Sequence, residues 1–201
     1  MELLKRLDRK NKIFDVALTL FSKYGFKAVT MREIAAKSST SLGSLYIHYK
    51  SKAELYDRVL DNAYLEHAKA SGITSDPDET LENKLYRFIN NFCHFMNDNV
   101  EVAKLFKREQ LDADPKRLKK LAERVLSEEY NNLKELVKEA NPSCHADLTT
   151  VLIFGMALNY YETMEFRKYF PGYDDSSNSP DFIAKQIYNM TIAGLKIDLA
   201  S

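Results

Sequence analysis

The chain has little of what bends a backbone: 6 glycines and 5 prolines in 201 residues, too few for a turn-rich sheet and well suited to helices. Its two cysteines, Cys93 and Cys144, make no short-spaced pair and no secreted disulfide framework, so a cytoplasmic location is the expectation. No apolar run approaches the roughly 18 residues of a membrane span, and the opening MELLKRLDRKNK has no apolar core of signal-peptide length. No membrane partner is expected. Net charge is also absent, with 29 Lys or Arg against 29 Asp or Glu. Divided along the chain, however, residues 1 to 65 hold 12 basic and 7 acidic residues, net +5, and the remainder hold 17 and 22, net −5. That asymmetry suits a terminal module that meets phosphate and a larger one that does not.

The usual signatures of chemistry are missing as well. His48, His67, His94 and His145 form no HxxxH pair and no close set with cysteine or carboxylate. There is no nucleophile elbow, phosphate-cradling glycine loop or Walker sequence. No catalytic residue, metal or cofactor is assigned, and the leading expectation is that the chain is not an enzyme.

What the chain does have is a run of helix starts from Thr30 to Lys52, TMREIAAKSSTSLGSLYIHYKSK. Thr30 and Glu33 have the spacing of a capping box, and Val29 and Ile34 that of a hydrophobic staple across it, which predicts a helix from about Met31. Ser38-Ser39-Thr40-Ser41 supplies turn chemistry, and Ser41 caps a second helix with Gly43 and Ser44 on its first turn. Ser51 and Glu54 repeat the box, so a third helix begins near Lys52 and runs to about Leu65. Two short helices across a tight polar turn describe a helix-turn-helix or a helical hairpin in a larger bundle; the patterning alone leaves both open.

Upstream, Ile13, Phe14, Ala17, Leu18, Phe21 and Tyr24 recur at helical spacing and Gly25 follows as a left-handed cap, predicting a helix over residues 9 to 24. Downstream, Ser71-Gly72 and Ser75-Asp76-Pro77-Asp78 mark a break, which divides the chain into domains 1–62 and 63–201. The second domain reads as helices from Leu81 to Met96, Val100 to about Leu111, Lys116 to Lys138, Cys144 to Met164, and a last one after the polar loop 171–180. In the third of these, KRLKK and SEE read as the solvated side. The total is about nine helices and no strand, an all-α fold. The last two helices are apolar on more than one stripe and carry Gly155, Ala157, Ala193 and Gly194. A C2 homodimer through them covers those faces most simply; completion of an intrachain core is the alternative.

From KIFDVALTLF to LYDRVL the sequence resembles the TetR/AcrR family of bacterial transcriptional repressors. The resemblance covers roughly residues 10 to 60 and rests on Ala17/Leu18/Phe21, Gly25-Phe26, Thr30, Ile34-Ala35, Gly43, Leu45-Tyr46, Tyr49, Lys50-Ser51-Lys52 and Leu55. It implies an N-terminal helix-turn-helix domain that binds double-stranded DNA and a C-terminal ligand-binding and dimerisation domain. In such proteins the last two helices build a four-helix dimer interface, and a small-molecule effector changes the separation of the two recognition helices. The operator is then expected to be a pseudopalindrome, because the reader is two-fold symmetric. Carried onto this chain, Ser41 to Tyr49 enters the major groove with Thr40, Ser41, Leu42 and Ser44 nearest base edges, Gly43 allowing close approach, and Tyr46 near the backbone. Thr30, His48 and Lys52 become phosphate contacts. Ser39-Thr40 stand where Gly and an apolar residue are common, and Leu42 where Lys, Arg or Pro is common, so operator preference is expected to diverge.

For the effector, Phe92, Phe106, Phe154, Asn159 and Tyr161 are the candidate lining of a pocket for an apolar or amphiphilic molecule, because Asn159 and Tyr161 lie on an otherwise apolar helix and need hydrogen-bond partners. Each is also an ordinary core residue by itself. Two further readings stay open: an α-helical enzyme or small-molecule carrier with a vestigial DNA-binding domain, and an architectural DNA-binding protein without effector.

Overall fold

Side-chain caps set most of the helix starts in the computed structural model, which describes residues 2–71, 79–174 and 178–196. Helix α1 (Glu2–Ala28) is longer than its apolar stripe predicts and is interrupted at Gly25, with φ 78° and ψ 167°. This is not the left-handed helical cap expected from the sequence but an extended conformation that essentially glycine alone tolerates. The capping box opens α2 (Met31–Lys37): Thr30 Oγ1 accepts from the Glu33 amide at 3.2 Å, and the Glu33 carboxylate accepts from the Thr30 amide at 2.8 Å. Ser41 accepts from the Ser44 amide at 3.0 Å and opens α3 (Leu42–His48). Before α4 (Lys52–Ser71), Ser51 accepts from the Glu54 amide at 3.1 Å. The Glu54 carboxylate reaches one residue further back than a capping box does, to the Lys50 amide at 2.9 Å.

Thr80 caps α5 (Leu81–Asp98), which α6 (Val100–Asp112) follows after Asn99. Asp114, with Pro115 behind it, caps α7 (Pro115–Leu121). The single helix expected over 116–138 is instead α7, a π turn at Ala122–Leu126, and α8 (Ser127–Ala140). His145 Nδ1 accepts from the Leu148 amide at 3.2 Å at the start of α9 (Ala146–Glu162), and α10 (Met164–Arg167) and α11 (Pro180–Lys196) complete the described fold. The π turn and α10 account for eleven α-helices where the sequence predicts about nine; the described residues contain no strand.

The chain forms two compact units. The first comprises residues 1–65 together with 101–125, so the helix-turn-helix unit is discontinuous and takes in most of α6 and all of α7. Its core joins Ile13, Ala17 and Phe21 of α1 to Ile34, Leu45, Leu55, Tyr56 and Val59, and closes with Leu105 and Leu121 from the later segment. Val29 and Ile34, the predicted staple, are both buried in it.

The second unit, residues 66–100 and 126–201, is built around α5, which packs on α8, α9 and α11. Phe88, Ile89, Phe92, Cys93 and Met96 of α5 are buried, as are Leu133 and Val137 of α8. Helix α9 is apolar on every side yet buries only the face of Thr150, Ile153, Ala157 and Tyr161; Leu148, Val151 and Leu152 are more than half exposed. Among the described residues no helix is long and apolar enough to cross a membrane.

Candidate nucleic-acid interface

The turn between α2 and α3 is a Schellman closure. The Ser39 amide donates to Ala36 O at 3.2 Å and the Thr40 amide to Ala35 O at 2.9 Å, while Ser39 takes φ 56°. Glycine is the usual occupant of such a position, and here serine accepts the strain. Ser38 is buried and spends its hydroxyl on Ile34 O at 2.7 Å. The direction in which α3 leaves α2 is therefore fixed by backbone bonds as well as by packing.

Helix α3 is two-sided. Leu45 is fully buried and Tyr49, just past the helix, is buried too, which raises its phenol pKa by desolvation. Ser41, Gly43, Tyr46 and Ile47 are exposed, while Thr40, Leu42, Ser44 and His48 are half-buried. A cleft of about 460 Å³ is lined by Val29, Thr30, Met31, Arg32, Leu42, Tyr46 and Lys52. It brings four of the predicted contact residues together from the starts of three helices. Thr40, Ser41, Gly43, Ser44 and His48 lie on α3 and its approach, outside that lining.

Two further residues are exposed on these helices. Arg32 adds an exposed cation to the cleft; a basic residue two places after a cap is a weak signal in sequence. Ile47 is 81% exposed on α3. Its phase was available, since Leu45 and Tyr49 at i and i+4 define the inward face and Ile47 falls opposite.

Lys52 requires a revision. Its ammonium donates to Phe26 O and Val29 O, both at 2.8 Å, with Lys27 O at 3.4 Å, and lies 4.5 Å from the Phe26 ring centre. The side chain predicted to meet phosphate instead ties α4 to the chain just ahead of α2. What remains free for an anion is the α4 amino-terminus itself. Glu33 is likewise committed: hydrogen bonds from the Thr30 hydroxyl and amide hold its carboxyl below the usual carboxylate range.

An exposed short helix with hydroxyls and an apolar side chain at its outer face, flanked by two helix amino-termini, matches how helix-turn-helix proteins meet a major groove. Residues 13–59 match the family model of bacterial regulatory proteins, tetR family. These residues form a DNA-binding domain of the TetR family. The TetR-family relatives include the biofilm operon icaADBC HTH-type negative transcriptional regulator IcaR of Staphylococcus epidermidis, 28% identical over 192 residues, which span 93% of this chain and 99% of that one. The HTH-type transcriptional repressor KstR2 of Mycolicibacterium smegmatis is 40% identical over 91 residues, 38% of this chain and 44% of its own. In fold, a TetR-like transcriptional regulator from Rhodococcus superposes with a TM-score of 0.73 at 20% identity, covering 93% of this chain and 95% of that one. With that domain and a near full-length similarity to a named regulator, the protein is a DNA-binding transcriptional regulator and not an enzyme.

The predicted effector residues do not form one site. Phe92 and Phe154 stack edge to face at 5.0 Å in the second unit, with Phe88 6.0 Å from Phe154. Tyr161 is buried there against the Cys93 thiol; burial pushes the tyrosine pKa up and that of Cys93 up to about 12. Asn159 is exposed and lines an open groove on α9, α10 and α11 with Tyr160, Thr163 and Arg167. It lies two residues from Tyr161 and so points to the other side of α9. Phe106 packs on the core of the helix-turn-helix unit. Among the described residues no group of three or more His, Cys, Asp or Glu is placed to hold a metal.

Proposed function

We propose that this regulator is a ligand-responsive repressor, acting as a homodimer through α9 and α11, that releases a pseudopalindromic operator when a small molecule binds its C-terminal region. The observation that carries the reading is the outer face of α3 and its cap, where Ser41 and Tyr46 are exposed and Ser44 is half-buried around a helix anchored by the fully buried Leu45. Thr40, Ser41, Leu42 and Ser44 read base edges, with Ile47 added as an apolar contact for a thymine methyl. Tyr46, His48, Thr30 and the amide end of α4 hold the phosphate backbone, and Gly43, with no atom within 4 Å of a Cβ added there, leaves room for close approach. The dimer reading is supported by exposed Leu148, Val151 and Leu152 on α9 and Phe182 and Met190 on α11. The effector is apolar or amphiphilic, received around Phe92, Phe154 and Tyr161.

Repression is the sense named for IcaR and KstR2. The test is selection of bound duplexes from a randomised pool by the full-length protein. An inverted repeat with half-sites about one helical turn apart, or a multiple of it, supports the reading; enrichment of no sequence refutes it. Small molecules screened against the selected duplex then identify the effector by loss of binding.

A further inference from the structure

The side chain of Glu109, on α6, is entirely buried. A carboxylate there is costly unless its partners are held in place. The Tyr56 hydroxyl donates to it from α4, and Arg117 Nε, from α7, lies 2.9 and 3.2 Å from its two oxygens. The same guanidinium donates to Asp112 at 3.1 Å and lies 4.9 Å from the ring centre of Phe26 and 5.8 Å from that of Tyr56. Phe26 and Tyr56 are themselves 4.9 Å apart, and Phe26 also carries the Lys52 ammonium. One bonded set therefore runs from Arg117 and Glu109 to the chain just before the Thr30 cap and to the first turns of α4. These are the two places that flank the reading helix.

We propose that Glu109 and Arg117 are positioning residues for operator recognition: neither touches DNA, and together they fix the end of α1 and the start of α4, between which α3 is presented. Arg117 has only 16% of its side chain exposed and its fork is engaged on Glu109 and Asp112, so it is not a phosphate contact. Buried ion pairs are weak sources of stability, and apolar replacements of similar size often preserve or raise it. Their hydrogen bonds are directional, however, whereas the contacts of Phe21, Phe26 and Tyr56 alone permit small slips. The network should therefore matter more for discriminating one duplex from another than for holding the fold.

The inference rests on the DNA-binding reading, and the experiment separates the two. Full-length wild type first selects an operator; a wild type that enriches nothing overturns both. The triple variant Tyr56→Phe, Glu109→Met, Arg117→Met removes the polar set while filling its volume. It should melt near the wild-type temperature, bind the operator ~10-fold more weakly, and bind an unrelated duplex within ~2-fold of wild type. Arg117→Lys keeps the charge and loses the fork, and should weaken operator binding ~3-fold with the unrelated duplex again unchanged. An unchanged operator-to-unrelated ratio in either folded variant overturns the proposal. If the triple variant does not fold, Arg117→Lys alone decides by the same ratio.

Discussion

The two units order their helices by different means. The helix-turn-helix unit relies on directed bonds: the Thr30–Glu33 box, the Ser39 turn, three carbonyls on Lys52, and a buried carboxylate shared by Tyr56 and Arg117. The second unit relies more on apolar packing around α5 and leaves much of α9 and α11 uncovered. Directed bonds specify one geometry, which a base-reading helix needs. Apolar faces left exposed call for a partner.

Charging the uncovered face breaks the contrast most severely. Leu152→Glu with Met190→Glu should raise the dimer dissociation constant at least ~100-fold by sedimentation equilibrium, since two carboxylates per subunit enter an apolar contact. A dimer of unchanged strength would remove α9 and α11 from the interface. Smaller is the effect of Tyr46→Ala, expected to weaken binding to every duplex by ~5-fold, because a backbone contact carries no sequence information. Loss confined to the selected operator would instead make Tyr46 a base reader.

In the turn, Ser39→Gly relieves the positive φ and should stabilise the protein by about 1 kcal/mol in chemical denaturation, with DNA preference unchanged. The smallest effect concerns acid. Because Glu33 is held below its unfolded pKa, its contribution is present above the unfolded value and fades as pH falls through the folded one. The stability gap between wild type and Glu33→Gln should therefore narrow as melts are taken from pH 7 towards pH 3; a constant gap would mean that the charge does not matter to the box.

The contrast also explains what could be read from the residues. Caps are local, so Thr30, Ser41 and Ser51 gave the three helix starts from spacing alone, and the TetR resemblance followed. Arg117 could not be read that way. In the run KRLKK it looks like part of a solvated face, yet a carboxylate eight residues earlier and two rings from distant helices bury most of it. Glu129, in the segment expected to be solvated, is buried as well. Residue type puts Phe106 with Phe92, and polarity on an apolar helix puts Asn159 there, but a side chain's unit and helix face decide its company. Spacing puts Lys52 at a helix start; which acceptors it finds depends on where α1 ends.

The central claim is that the outer face of α3 reads base sequence. Ser44→Ala removes one hydroxyl, and Ser41→Asn changes another while keeping a residue that can still cap α3. Full-length wild type and both variants should be presented with the same randomised duplex pool. The account predicts that each variant changes base preference at a defined position in both half-sites while binding an unrelated duplex as wild type does. Equal losses on every duplex, with no change in the selected sequence, would contradict it.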